Sequence, residues 1–294
     1  MRRRAGMPKF KKKHLAAPTL NYTRRGFRLK EGRLHLAGGI AVTVVWSRDL
    51  PAEPSSVRIH RDPVGHLYPS FVVPARVEEL PATGRAIGID WGVKDIAATT
   101  TSDAHDLPHP QYGRAAAAKL ARYQKMMARR RPPKGRPAST GYRKAARQAA
   151  KAHRKVARQR ADAARKWAKK VVRDHDVLAV EDFTPKFLAR STMARKAADG
   201  AIGATKNALI EMARKHGRIV HLVNPAHTTM DCAGCGARTK HALPLSERTY
   251  TCTACGVSCP RDKNSARVML LRAGLDPVGV EGVRPDGPPA RQAA

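Results

Sequence analysis

Residues 85–92 read RAIGIDWG, a short apolar run that ends in an acid at Asp90 and meets a glycine at Gly92. Runs of this length, bounded by turn formers, read as buried strands. DIAATTT (95–101) reads as a second strand close behind the first. An Ala-rich helix is predicted over 113–131, where Pro132-Pro133 stops it. A long basic helix is predicted over 142–173. Its thin apolar stripe is Ala145, Ala149, Ala152, Val156, Ala163, Trp167 and Val171. DHDVLAVEDF (174–183) is another apolar strand that ends in acids. A helix over 200–216, a strand RIVHLV (218–223) and a last helix over 262–273 complete the series. Strand, strand, helices, strand, helix, strand, helix is an α/β order.

Upstream of this series the character changes. Residues 1 to about 35 are basic and read as irregular. LHLAGGIAVTVVW (34–46), SVRIHR (56–61) and HLYPSFVV (66–73) are β-branched or alternating. The last two are joined by Asp62-Pro63-Val64-Gly65, a turn composition that predicts a hairpin. A small antiparallel barrel or sheet is expected here, with 74–85 as a linker. The tail over 276–294 is rich in Pro and Gly and is expected to be disordered.

The 294 residues carry 57 Lys and Arg against 23 Asp and Glu, a formal charge of +34. Self-repulsion on that scale opposes compaction unless a polyanion neutralises it, and nucleic acid is the obvious polyanion. No stretch is long and apolar enough to span a bilayer, and no apolar segment follows the basic N-terminus as a secretory signal would require.

All five cysteines lie between Cys232 and Cys259. Cys232-Ala-Gly-Cys235-Gly and Cys252-Thr-Ala-Cys255-Gly are two CxxC knuckles separated by 16 residues. Each knuckle sets two thiolates on one tight turn, and two facing turns make a tetrahedral S4 site that suits structural Zn²⁺. Cys259 is left over and reads as a small buried residue.

Three acids fall where strands end or a helix begins: Asp90, Glu181 and Asp262. Each alone has a plain structural reading, as a turn residue, a surface acid and a helix cap. Together, in a chain poor in acids and suited to a polyanion, they are candidates to hold two Mg²⁺ ions about 4 Å apart for phosphodiester hydrolysis. Lys94, Arg261 and the long basic helix are expected near phosphates.

GIDWGVKDIAATTTSD, VEDF, NPAHTTMDCAGCG and TCTACGVSCPRDKNSARVML resemble the TnpB (OrfB) proteins of bacterial insertion sequences. These are compact RNA-guided DNA nucleases related to type V CRISPR effectors. The basic helix and the early GMPKFKKK also resemble that family, up to about Ala273. The resemblance implies an RNase H-like, RuvC-type nuclease domain with an inserted zinc ribbon, preceded by a small β-barrel that grips guide RNA and DNA. It maps the catalytic, magnesium-binding acids onto Asp90, Glu181 and Asp262, and the zinc ligands onto Cys232, Cys235, Cys252 and Cys255. The expected division is a basic arm and barrel over 1–84, a nuclease domain over 85–227, a ribbon over 228–258, and a closing nuclease helix over 259–275. Such a protein would be called a transposase and would work in the bacterial cytoplasm on the nucleoid. Relatives carry a further barrel strand and a helical recognition segment before the GMPKFKKK-like stretch, and many have an acid where this chain has Pro260. The first departure leads us to expect nuclease chemistry separated from guided targeting. It also keeps open an alternative, a nuclease-inactive nucleic-acid-binding remnant or regulator.

Overall fold

The computed structural model describes residues 18–275 apart from positions 102, 185–187, 189, 242 and 245. The GMPKFKKK stretch and the tail over 276–294 lie outside the described residues. The chain divides into two compact units. One takes residues up to Arg76 together with Tyr123–Lys151, and the other takes Val77–Arg122 and everything from Ala152.

The first unit holds six short strands: β1 (Thr19–Thr23), β2 (Phe27–Lys30), β3 (Arg33–Leu36), β4 (Ile40–Thr43), β5 (Ser56–Arg61) and β6 (Leu67–Val72). They form two antiparallel three-stranded sheets, β1-β5-β6 and β2-β3-β4. The 56–61 and 66–73 hairpin is present, and Asp62 closes its turn by accepting the amides of Val64 and His66 at 2.9 and 2.8 Å. Phe27, Leu34, Leu36 and Val57 are buried in one cluster that spans both sheets. Among the described residues no ladder joins the two sheets into a closed barrel.

Two features of this unit differ from expectation. The stretch read as irregular contains β1 and β2. The β2–β3 turn is Glu31-Gly32, with φ of 53° and 72°, the pair of positive angles that a two-residue hairpin loop needs. Glu at the first position is an unusual occupant, so the turn left little trace in the sequence. The apolar run 34–46 is two strands, because Gly38 and Gly39 at φ 90° and 77° turn the chain back between β3 and β4.

In the second unit a five-stranded sheet has the order β11-β10-β7-β8-β9. Its strands are β7 (Ala86–Trp91), β8 (Asp95–Thr99), β9 (Leu107–Pro108), β10 (Val177–Glu181) and β11 (Ile219–Val223). β11, β10 and β7 are parallel, whereas β8 and β9 run antiparallel to their neighbours. α1 (Tyr112–Arg129) and α2 (Thr140–Asp174) match the predicted helices. The helix expected over 200–216 is α4 (Ile202–Lys215), and a short further helix that was not expected, α3 (Ala194–Gly200), precedes it, with Ala201 at φ 54° between the two. α5 (Arg261–Arg272) is the last described helix, and the small pair β12 (Thr249–Thr251) and β13 (Ser258–Pro260) precedes it.

Strand alternation sorts side chains to the two sheet faces. Ile87, Ile89 and Trp91 of β7 pack with Leu178 and Val180 of β10 against Trp167, Ala168, Val171 and Val172 of α2 and Leu209 and Ala213 of α4. Those α2 residues continue the predicted stripe, whose basic neighbours Lys166, Lys169 and Lys170 are exposed. On the other face Ala179 packs with Met269 and Leu270 of α5. Gly88 lets α5 lie directly on β7, since a methyl group there would overlap the carbonyl oxygen of Ala266. By the same alternation Asp90 and Glu181 belong to the α5 face. No described helix is long and apolar enough to cross a membrane.

Candidate functional site

The cysteine centre is built from two near-identical turns. Cys232 N donates to Ala237 O and Gly236 N to Cys232 O, each at 2.9 Å. Cys252 N donates to Val257 O and Gly256 N to Cys252 O, again at 2.9 Å. Gly236 and Gly256 both sit at φ 73°, a left-handed angle that a side chain would disfavour. The turns face each other with Cys232 Sγ 3.7 Å from Cys255 Sγ and Cys235 Sγ 3.6 Å from Cys252 Sγ. All four sulfurs lie within 4.8 Å of one another. A tetrahedral ion with metal–sulfur bonds of about 2.3 Å needs sulfurs roughly 3.8 Å apart, so the set fits Zn²⁺. Burial pushes the metal-free Cys232 thiol up to about 12, and Gly234 N, donating to Cys232 Sγ at 3.3 Å, opposes that only in part. Tyr250, fully buried, packs with Cys232 and Cys252 and donates its hydroxyl to Met230 O at 3.3 Å. Cys259 is half-buried on β13 rather than enclosed, and lines an open cavity together with Asp262.

The three acids come from three elements. Val180 of β10 stands beside Ile89 of β7 in parallel register. The next residue on each strand is an acid, so Asp90 and Glu181 meet at the C-terminal edge of the sheet. Both are buried, at 9% and 7% exposure. Trp91 fixes Glu181 twice, its backbone N–H donating to Oε2 at 3.0 Å and its indole N–H to the carbonyl oxygen at 3.2 Å. Burial holds the Asp90 carboxyl well above the usual carboxylate range, and repulsion from Glu181 and then Asp262 adds to it. Burial also raises Glu181, opposed by the Trp91 amide and by the Lys206 cation, which Asp182 anchors at 2.6 Å. Asp262 lies in the first turn of α5. The residue in the cap position is Pro260, and no side chain caps the helix, so the helix-cap role does not describe Asp262.

A cavity of about 410 Å³ opens beside Asp262, lined by Lys94, Asp95, Asp106, Arg248 and Lys263 among others. Of the two basic residues expected near phosphates, Lys94 lines this cavity and Arg261 does not. Arg261 is buried, and its Nη1 donates to the carbonyls of Pro244 at 2.9 Å and Glu247 at 3.4 Å. Arg248 was not a candidate from the sequence. It precedes β12, and its guanidinium stands 4.0 Å from Asp262. One arginine among 57 basic residues carries no local signal, and only the ribbon's return to α5 sets it apart.

Two family models match the chain. One described as "Probable transposase" covers residues 61–192, and one described as "Cas12f1-like, TNB domain" covers residues 203–269. The first contains Asp90 and Glu181, and the second contains the four-cysteine cluster and Asp262. A curated relative from Streptomyces pristinaespiralis, the "Putative RNA-guided DNA endonuclease", is 29% identical over 288 residues, 96% of this chain and 69% of the relative. The "CRISPR-associated DNA-binding protein Cas12m" of Allomeiothermus silvanus is 33% identical over 115 residues, 36% of this chain and 21% of that protein. Among solved structures, a cryo-EM Cas12f1–sgRNA–target DNA complex superposes with a TM-score of 0.52 at 14% identity. The match covers 85% of this chain and 58% of that one, and it carries the likeness of fold alone.

Proposed function

The chain belongs to the TnpB-like (OrfB) family, and we propose that it is an RNA-guided, Mg²⁺-dependent DNA endonuclease in which Asp90, Glu181 and Asp262 are the catalytic carboxylates. One observation carries the reading: two buried acids stand side by side at the edge of parallel strands, with the charge of a third reaching Asp90 from α5. A carboxyl displaced upward by burial and by its neighbours' charge is a group waiting for a cation. The sheet order, three parallel strands continued by two antiparallel ones, agrees with an RNase H-like, RuvC-type domain. The expected division into 1–84, 85–227, 228–258 and 259–275 is kept as part of the proposal.

Asp90, Glu181 and Asp262 would hold two Mg²⁺ ions, which when bound activate a water and stabilise the leaving oxygen of a phosphodiester. The Trp91 amide keeps one Glu181 oxygen turned inward, so the carboxylate is oriented before any ligand arrives. Arg248, Lys94 and Lys263 supply positive charge on the cavity wall, suited to draw in a strand and meet the charge that develops on phosphorus. Zn²⁺ in the four-cysteine site would be structural, since four thiolates leave no open position. Guide RNA and target DNA are the proposed partners, and the bacterial cytoplasm on the nucleoid the proposed setting.

The test is cleavage of a target plasmid with guide RNA by wild type and by Asp262→Ala. The variant should lose cleavage by at least about a thousandfold while binding nucleic acid almost as well. Binding without Mg²⁺-dependent cleavage in the wild type would favour a nuclease-inactive binding protein instead.

A further inference from the structure

Four consecutive residues open α5, and each engages a different neighbour. Arg261 holds the carbonyls of Pro244 and Glu247 in the ribbon. Asp262 stands 4.0 Å from the Arg248 guanidinium. Lys263 pairs with Asp106 at 2.6 Å, while Asp106 accepts the Thr99 amide at 2.8 Å and the Thr99 hydroxyl at 2.9 Å, fastening α5 to β8. Asn264 is 1% exposed. Its Oδ1 accepts the amide of Ala233 at 3.1 Å, and its Nδ2 donates to the carbonyl oxygen of Asp231 at 2.7 Å. Those two peptide groups lie on either side of Cys232.

A carboxamide offers one acceptor and two donors in a fixed plane. That plane clips the backbone on both sides of one cysteine of the S4 cluster. Asn264 stands two residues from Asp262, less than one turn of the same helix. A shift of the first knuckle therefore has a short and stiff route to Asp262. Buried hydrogen bonds of this kind are costly to break, because the freed groups find no water.

We propose that Asn264 is a positioning residue that couples metal in the four-cysteine site to the divalent cation held by Asp90, Glu181 and Asp262, so that each strengthens the other. This rests on the nuclease reading of the three acids. Coupling between two sites is reciprocal: whatever factor one ligand imposes on the other's affinity is returned. The ribbon is then more than a separate fold element, because its metal sets how well the acids bind theirs.

Two measurements test this, both on zinc-loaded protein carrying Cys259→Ser so that only the ribbon thiols report. Mn²⁺ affinity is read by water-proton relaxation, and the rate of thiol modification by a disulfide reagent is read with and without Mg²⁺. Asn264→Ala should retain one zinc yet bind Mn²⁺ roughly fivefold or more weakly. Mg²⁺ should slow thiol modification by a similar factor with Asn264 present, and that protection should vanish in Asn264→Ala. Should Asn264→Ala fail to fold, Asn264→Gln serves instead, since it keeps the carboxamide but displaces it by one methylene, and it should abolish the protection while leaving the ribbon's zinc in place. A lowered melting temperature with unchanged Mn²⁺ affinity would mean Asn264 is only a packing residue. Tight Mn²⁺ binding with thiol reactivity indifferent to Mg²⁺ would overturn the coupling and leave the nuclease reading intact. Absence of any Mn²⁺ binding would overturn both.

Discussion

Asp90 and Glu181 stand next to each other at the ends of two parallel strands, one residue beyond the Ile89–Val180 pair, with most of each side chain removed from water. Two acids so placed oppose the fold when both are ionised, and the sign of that effect can be worked out. Burial first, then Glu181, then Asp262 raises the Asp90 carboxyl above its ordinary value. A carboxyl raised in the folded state stabilises it while protonated. That contribution is complete below the unfolded value near 4 and disappears as pH rises through the folded value. Ionised Asp90 at neutral pH therefore weighs against the metal-free protein. Asp90→Asn should raise metal-free stability at neutral pH by about 1 kcal/mol, roughly 2–4 °C in Tm, and should abolish cleavage. The gain should shrink as pH falls. Thermal melts at several pH values with a chelator present check it, and a destabilised Asn variant would mean the acids are not strained against each other.

At Gly88 α5 lies directly on β7. Gly88→Ala would drive a methyl group into the Ala266 carbonyl and bring it within 2.9 Å of Thr100 Cγ2. Overpacking of this kind costs about 1–3 kcal/mol. Because α5 must lift, Asp262 moves from Asp90, so cleavage should fall by more than stability alone predicts. Chemical denaturation and cleavage rates below the unfolding range separate the two effects.

Metal analysis with thiol titration should find one zinc per chain. Cys252→Ser leaves three thiolates and should release the metal, melting β12 and β13, whose register depends on the knuckle between them. Stability of the ribbon should drop by several kcal/mol, and chelators should have the same effect on the wild type. A protein that keeps its melting profile without zinc would contradict the assignment.

If nucleic acid is the partner, as proposed, the charge of +34 should make its binding steeply salt-dependent. With about 6–10 phosphates neutralised, affinity should fall roughly a thousandfold or more between 50 and 200 mM salt. Titrations at four salt concentrations give the slope. A flat response would place binding on a surface other than the basic one.

Some of this protein is written in local sequence. The two CxxC knuckles impose their own geometry, because each turn closes through hydrogen bonds within a few residues and a glycine at a left-handed angle. The strands ending in Asp90 and Glu181 announce themselves by apolar runs, and the α2 stripe by its period, since burial on one face is a demand that local pattern can meet. The β2–β3 turn was hidden because Glu31 is a poor advertisement for a positive φ, and of the barrel or sheet expected there the described residues show two antiparallel sheets with no ladder between them.

Only the tertiary structure decided the rest. Three acids spread over more than 170 residues were candidates in the sequence, each with an ordinary alternative. Parallel register brings Asp90 to Glu181, and the missing side chain of Gly88 brings α5 down upon them. Arg248 beside Asp262 and Asn264 on both flanks of Cys232 could not be read in advance. Their partners are distant in the chain or belong to backbone, and a hydrogen bond to a peptide group leaves no mark on the identity of the residue that carries it.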